Sequence, residues 1–213
     1  MAIVTDGIGK YLSGSIEGQV FVKGKFRTYL RSMPRERKAS EWSEKQRQQR
    51  KGFKSVIEYA GQQKWKVIVP IWNKAALDIN MSGFNLFVKA NRAAFDSDGQ
   101  LENPGLLHFS TGQLALPYRL WAEADAQNPR SISVSWIDQL AGSQSGDDSL
   151  MAVLYNGEAG EVVQTGFTRK DGRASIENPS LGKGEVYLFL FFWNKRLDSY
   201  SPDQVFTIKH TEP

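Results

Sequence analysis

"EVYLFLFFW", residues 185–193, contains the longest apolar run of the chain, the eight residues from 186 to 193. A membrane-spanning helix needs about twenty such residues. The run therefore predicts a strand inside a folded core and argues against insertion into a bilayer. Turn chemistry bounds it, with "NPSLGKG" (178–184) before it and "YSPD" (200–203) after it.

Working outward, similar short runs recur through the second half of the chain. Strands are predicted in "LLHFSTGQL" (106–114), "YRLWAEA" (118–124), "SISVSWID" (131–138) and "SLMAVLYN" (149–156). Others follow in "GEVVQTGF" (160–167), "GRASIEN" (172–178) and "QVFTIKH" (204–210). In "SISVSWID", Ile132, Val134 and Trp136 alternate with serines, the pattern of a half-buried strand. Short strands at this spacing, separated by Gly, Pro, Asn and Asp, predict an antiparallel β-sandwich over 106–213. An immunoglobulin-like or fibronectin-like sandwich is the first expectation and a jelly roll the second.

The period changes upstream. Over 40–95 the pattern is helical. Ser43 and Gln46 fit a capping box, followed by Phe53, Val56, Ile57 and Ala60 at helical spacing, with Gly61 as the stop. A second stripe runs Trp65, Ile68, Val69, Trp72, Ala76 and Ile79. Pro70 lies within it, so that helix is either kinked there or newly started there. A third helix is predicted after Ser82, with Phe84, Phe87, Val88, Asn91 and Phe95 along one side. Over 1–35, "SIEGQVFVKG" and "KFRTYLRS" read as a hairpin turning at Gly24, and Pro34 ends the pairing. The fold class expected is thus α+β, with a basic hairpin and helical region at 1–100 and the sandwich at 106–213.

Charge is unevenly distributed. Residues 23–54 hold twelve Lys and Arg against three Glu, a local net of +9, which leaves −5 elsewhere in a chain of net +4. Lys23, Lys25, Arg27, Arg31, Arg35, Arg37 and Lys38, then Arg47, Arg50 and Lys51, with Tyr29 among them, form the candidate binding surface. Lys45, Lys54, Phe26 and Trp42 lie in the same segment. Cations interleaved with aromatic rings suit a phosphate backbone with stacked bases. Equally, they suit the acidic surface of a protein subunit, such as a second copy of this chain. A solvated edge is the third reading, since lysines also guard strand edges.

The order of these pieces resembles an uncharacterised family of proteins of similar length, found mostly in Bacteroidota and catalogued only as a domain of unknown function. The resemblance rests on Ser13-Gly14, Val20, Tyr29, Arg31-Ser32-Met33-Pro34, "SGFN" (82–85) and "TRKDGRASI" (168–176), and spans nearly the whole chain. It implies an N-terminal glycine-rich hairpin, a helical middle and a C-terminal immunoglobulin-like sandwich. Separately, "WNKAALDINMSGFNLFVKAN" (72–91) is similar to a helical segment of phage and prophage structural proteins. The family brings no activity with it.

Catalytic chemistry finds little support. The two histidines, His108 and His210, have no carboxylate or second histidine at ligand spacing. "GSQSG" (142–146) places Gln144 where a nucleophile elbow needs serine. "GIGKYLSGS" (7–15) lacks phosphate-loop spacing, "DSDGQLE" (96–102) falls short of a calcium loop, and Asp147-Asp148 sits in a turn. Cysteine is absent, which excludes disulfides and thiolate metal sites. Tyr118, Trp121, Tyr155 and Tyr200 would form a carbohydrate-stacking platform if exposed together.

The expectation is a non-enzymatic protein without a cofactor. Protein subunits are the first partner expected, nucleic acid the second and a glycan or other surface the third. No signal peptide is read at the start, so the expected setting is the cytoplasm or a phage-like particle.

Overall fold

The computed structural model describes residues 2–4, 11–24, 27–35, 41–62, 65–79, 81–125, 127–128, 130–138, 145–156, 160–177 and 185–209. In chain order the elements are β1 (Ala2–Val4), β2 (Gly14–Ile16), β3 (Gln19–Lys23) and β4 (Thr28–Ser32), then the helices α1 (Glu44–Gln62), α2 (Trp65–Ala75) and α3 (Gly83–Asn91). There follow β5 (Arg119–Ala124), β6 (Ser131–Ile137), β7 (Ser149–Tyr155), β8 (Gly160–Thr168), β9 (Arg173–Glu177), β10 (Glu185–Asn194), β11 (Ser199–Tyr200) and β12 (Gln204–Lys209). The class is α+β, and every strand pair is antiparallel. Among the described residues no helix is long and apolar enough to cross a membrane.

The strand read from "EVYLFLFFW" is β10, and it sits in the middle of a five-stranded sheet. β7 lies on one side with β8 beyond it, while β11 and β12 pair along the other side. Successive side chains of a strand point to opposite faces. Val186, Leu188, Leu190 and Phe192 therefore face one core, with Leu150, Ala152 and Leu154 of β7. Phe189 and Phe191 face another, with Met151, Val153 and Tyr155. Both faces are dry, so the strand shows no polar alternation.

The first core is closed by the smaller sheet β5–β6–β9, whose Leu120, Ile132, Val134, Trp136, Ala174 and Ile176 pack across it. The two sheets are stacked face to face in a sandwich-like arrangement. The second core is closed by the helices, through Val56 and Tyr59 of α1, Ile68, Ile71 and Trp72 of α2, and Phe87 and Val88 of α3. Helices and sheet share this core across the 100–106 boundary drawn on the sequence. The order through the molecule is helices, five-stranded sheet, three-stranded sheet.

Helix starts follow the local chemistry. The Gln46 backbone N–H donates to Ser43 Oγ at 3.3 Å, and the Ser43 N–H donates to Gln46 Oε1 at 3.1 Å, closing the box before α1. Ser82 Oγ accepts from the Asn85 N–H at 3.1 Å and starts α3. A Cβ at Gly83 would press into the backbone of Trp72 and Asn73, so the missing side chain lets α3 approach α2. Trp72 seals the junction, meeting Phe87 edge to face at 5.3 Å and donating its indole N–H to the Phe109 carbonyl at 3.1 Å.

Several expectations need correction. The segment 106–114 is not a strand; a 3-10 turn at Pro104–Leu106 leads into irregular chain that buries Leu107 and Phe109. Side chains replace the ladder there: Asn91 accepts from the His108 N–H at 2.7 Å and donates to the His108 carbonyl at 3.0 Å. The buried face of α1 is Gly52, Val56 and Tyr59, while Phe53 and Ile57 point outward. Gly61 falls inside α1 and stops nothing. Pro70 lies within α2, which begins five residues earlier, so the new-start alternative is not the one adopted. Trp193, at the end of the run 186–193, packs on the helix side, stacked on Tyr200 at 6.0 Å.

The N-terminal hairpin is part of a four-stranded sheet ordered β1–β4–β3–β2. "SIEGQVFVKG" breaks at Glu17-Gly18, whose φ values of 47° and 77° make a two-residue turn between β2 and β3. β1 adds to the far edge through Ile3 opposite Tyr29. Among the described residues, none of this sheet belongs to either hydrophobic core.

Phe189 is wholly buried and meets Phe109 edge to face at 4.8 Å. Phe189→Ala is expected to cost about 3–5 kcal/mol in urea unfolding. A loss well under 1 kcal/mol would show that the helices do not seal this face.

Candidate functional site

The structure divides the candidate residues into two groups. Lys23, Arg27 and Arg31 are exposed on the N-terminal sheet, and Tyr29 is half-buried between them. Register places Ile3, Tyr29 and Val22 in one row across three strands, with Arg31 beside Val20 on the same face. Arg47, Arg50 and Lys51 lie on α1. Lys25, Phe26, Arg37 and Lys38 lie outside the described residues.

Arg35 joins the two groups. It follows β4 and lines a hollow of about 270 Å³ with Trp42, Gln46, Gln49 and Arg50. The Arg50 guanidinium lies 3.9 Å over the Trp42 ring. Next to it, Trp42, Phe53 and Ile57 form an apolar strip edged by Arg50, Lys51 and Lys54. The exposed side of α1 thus carries rings as well as cations, a consequence of its stripe being rotated from the expected one.

Neighbouring carboxylates answer part of this charge. Arg47 pairs with Glu44 at 2.9 Å, Lys51 with Asp98 at 3.0 Å and Lys54 with Glu58 at 3.4 Å, all at the surface, where such pairs contribute about 0–1 kcal/mol. Among the described residues Arg35 and Arg50 have no carboxylate partner.

Arg169 and His108 both hold structural positions. Arg169 has a fully buried side chain between β8 and β9. Its Nε donates to Asp148 at 3.1 Å, Nη1 to Asp138 at 2.7 Å and Nη2 to the Ala115 carbonyl at 2.8 Å. The guanidinium also lies 4.3 Å over the Phe192 ring. Asn194 and the Ser145 N–H satisfy Asp148 further, at 2.7 and 3.0 Å. Asp147, its neighbour, stays at the surface and pairs with Lys170. Nothing in the spacing of Asp148 and Arg169, twenty-one residues apart, signals this pairing.

His108 does have a carboxylate, brought from far along the chain. Its Nδ1 lies 3.1 Å from Asp203 Oδ1, and Asp203 Oδ2 accepts the Phe109 N–H at 2.7 Å. The hydrogen bond to Asp203 raises the imidazole pKa above its ordinary value, against partial burial. Asp203 is occupied in holding the irregular segment, which is a structural role. Among the described residues no three His, Asp or Glu side chains gather as a metal-ligand set.

The aromatic platform is not assembled. Tyr155 is buried in the helix-side core and Tyr200 stacks on Trp193, while Tyr118 and Trp121 are exposed elsewhere.

Fold and site together define an α+β protein of antiparallel sheets with a basic, ring-bearing surface at its N-terminal end. Set against family models, curated proteins and solved structures, the chain matches none.

Arg169 and His108 each have a measurable consequence for stability. Arg169→Met leaves Asp148 and Asp138 without their cation and is expected to cost about 3–5 kcal/mol in denaturant unfolding; a neutral result would mean that water takes over the arginine's role. The His108 contribution depends on protonation. With the folded pKa raised, it is fully present below the ordinary imidazole value and is lost as pH rises through the folded one. The Tm difference between the native protein and His108→Gln should therefore shrink between about pH 5 and about pH 8. A difference that grows over that range would reverse the sign.

Proposed function

We propose that the chain is a non-enzymatic assembly protein whose N-terminal sheet joins copies of itself or other subunits, in the manner of a component of a phage-like particle. One observation carries this reading: among the described residues, the β1–β4–β3–β2 sheet contributes nothing to either core. Ile3, Ile16 and Met33 remain exposed on it or beside it, with Tyr11 and Leu12 just upstream of β2. A sheet this small holds poorly in water unless an apolar face is covered. Among the described residues the outer strands β1 and β2 also have unpaired edges, which a neighbour's strand could take. The resemblance of residues 72–91 to a helical segment of phage and prophage structural proteins supports this reading.

The sandwich belongs to the same proposal. Lettered in chain order, β5–β6–β9 are strands A, B and E, and β12–β10–β7–β8 are G, F, C and C′. That ordering is the reason to favour an immunoglobulin- or fibronectin-like sandwich over a jelly roll.

A second reading, binding of single-stranded nucleic acid, is favoured by Arg35 and Arg50 beside Trp42, where two cations without carboxylate partners flank an aromatic ring.

Light scattering across concentration and salt distinguishes these readings. The assembly reading expects a defined oligomer, weakened by Ile16→Asp with Met33→Asp while the melting of the body is unchanged. A monomer at every concentration and salt would sink it. A gel shift with single-stranded DNA tests the second reading; no shift at low salt, or one that Arg35→Glu with Arg50→Glu leaves intact, would end it.

A further inference from the structure

The five-stranded sheet has its outer face sealed by helices, but the outer face of β5–β6–β9 is uncovered among the described residues. The middle strand β6 presents Ser133 and Ser135 there. Register sets Ser135 between Trp121 of β5 and Arg173 of β9, and sets Ser133 between Glu123 and Ser175. Small side chains on the centre strand and large ones on its neighbours make a trough. These residues, with Phe167 at the Arg173 side, enclose a hollow of about 410 Å³. Strand spacing makes the floor roughly 10 Å across from β5 to β9, and the volume is within the range of small-molecule sites, about 300–1,000 Å³.

The wall chemistry restricts the occupant. Trp121 is 44% exposed, so a large apolar ring face is left in solvent. Glu123 accepts hydrogen bonds only and Arg173 donates only. The register holds them two strands and one step apart, and among the described residues neither has an ion-pair partner. An anion would be repelled by Glu123, and a cation by Arg173. Ser133 already donates to Asp125 and Ser175 bonds with Ser131, so a purely apolar ligand would leave Glu123, Arg173 and Ser135 unanswered. A ring with an apolar C–H face and a rim of hydroxyls suits all three walls: the face lies on Trp121, one hydroxyl donates to Glu123, and another accepts from Arg173.

We propose that the outer face of β5–β6–β9 is a binding site for a neutral saccharide, with Trp121 as the stacking surface and Glu123 and Arg173 as the hydroxyl partners. The site is independent of the N-terminal sheet and of the assembly reading. On a particle it would give each subunit a glycan contact.

The test titrates the full-length protein with neutral cello-, xylo-, malto- and manno-oligosaccharides, and with oligogalacturonate as an anionic probe, by calorimetry. Saturable binding of one neutral class is expected. Trp121→Ala and Arg173→Ala should each weaken it by about tenfold or more, and Ser135→Tyr, which fills the floor, should abolish it. Tyr118→Ala, an exposed ring outside the trough, should change nothing. The proposal is overturned if no neutral saccharide binds, if only the anionic probe binds, or if binding survives both Trp121→Ala and Ser135→Tyr in variants whose circular dichroism is native.

Discussion

β10 is dry on both faces, and the rest of the molecule is arranged around that constraint. Leu188, Leu190 and Phe192 need one cover, while Phe189 and Phe191 need another. β7 is in the same position, paired with β10 from Tyr155 opposite Tyr187 to Ser149 opposite Trp193. A two-layer sandwich would bury one face of these strands and leave the other in water. At about 1.5–3 kcal/mol for each large side chain moved from exposed to buried, the uncovered face would be a heavy loss. The helices supply the third layer. Their own need is reciprocal, since isolated helices of this length are marginal in water. The docking partner that the helical region requires is thus found within the chain.

The ends of the central strands are tied by charge. Arg169 collects Asp138 after β6, Asp148 before β7 and the Ala115 carbonyl, and lies over Phe192 of β10. Desolvating an arginine this fully is unfavourable unless all its donors are matched. Here the guanidinium meets two carboxylates and a carbonyl. The Trp136 indole N–H donates to the Arg169 carbonyl at 2.7 Å, which links the same point to the smaller sheet. On the opposite side, Asn91 and Asp203 perform the corresponding task for irregular chain, giving the backbone at 108–109 the partners a strand would have supplied.

With the two cores closed, unmet needs remain at the surface, among them those of the N-terminal sheet and of the trough on β6. The N-terminal sheet has exposed apolar residues, and among the described residues its outer edges are unpaired. The trough on β6 has an exposed indole and two unpaired charges of opposite sign. We propose a protein surface or strand for the first and a hydroxylated ring for the second; the two lie on separate sheets.

Periodicity and turn residues made most of the β half legible. The alternation in "SISVSWID", the Gly and Asp turns, the capping box at Ser43 and the N-cap at Ser82 are local signals, and the local chain obeys them. The basic segment was legible as composition. Which rings joined it was not, because the spacing gives a stripe of Phe53, Val56, Ile57 and Ala60, whereas contact with α2, α3 and the sheet buries Val56 and Tyr59 and leaves Phe53 and Ile57 outward. The charge cluster at Arg169, the Asp203 partner of His108 and the trough beneath Trp121 each unite residues from distant strands. One-dimensional spacing carries no trace of such meetings. What the amino-acid order determined alone was where backbone hydrogen bonds could form locally. Which faces met, and which side chains were left without partners, was decided by the three-layer packing, because burial is a property of neighbours brought together by the fold.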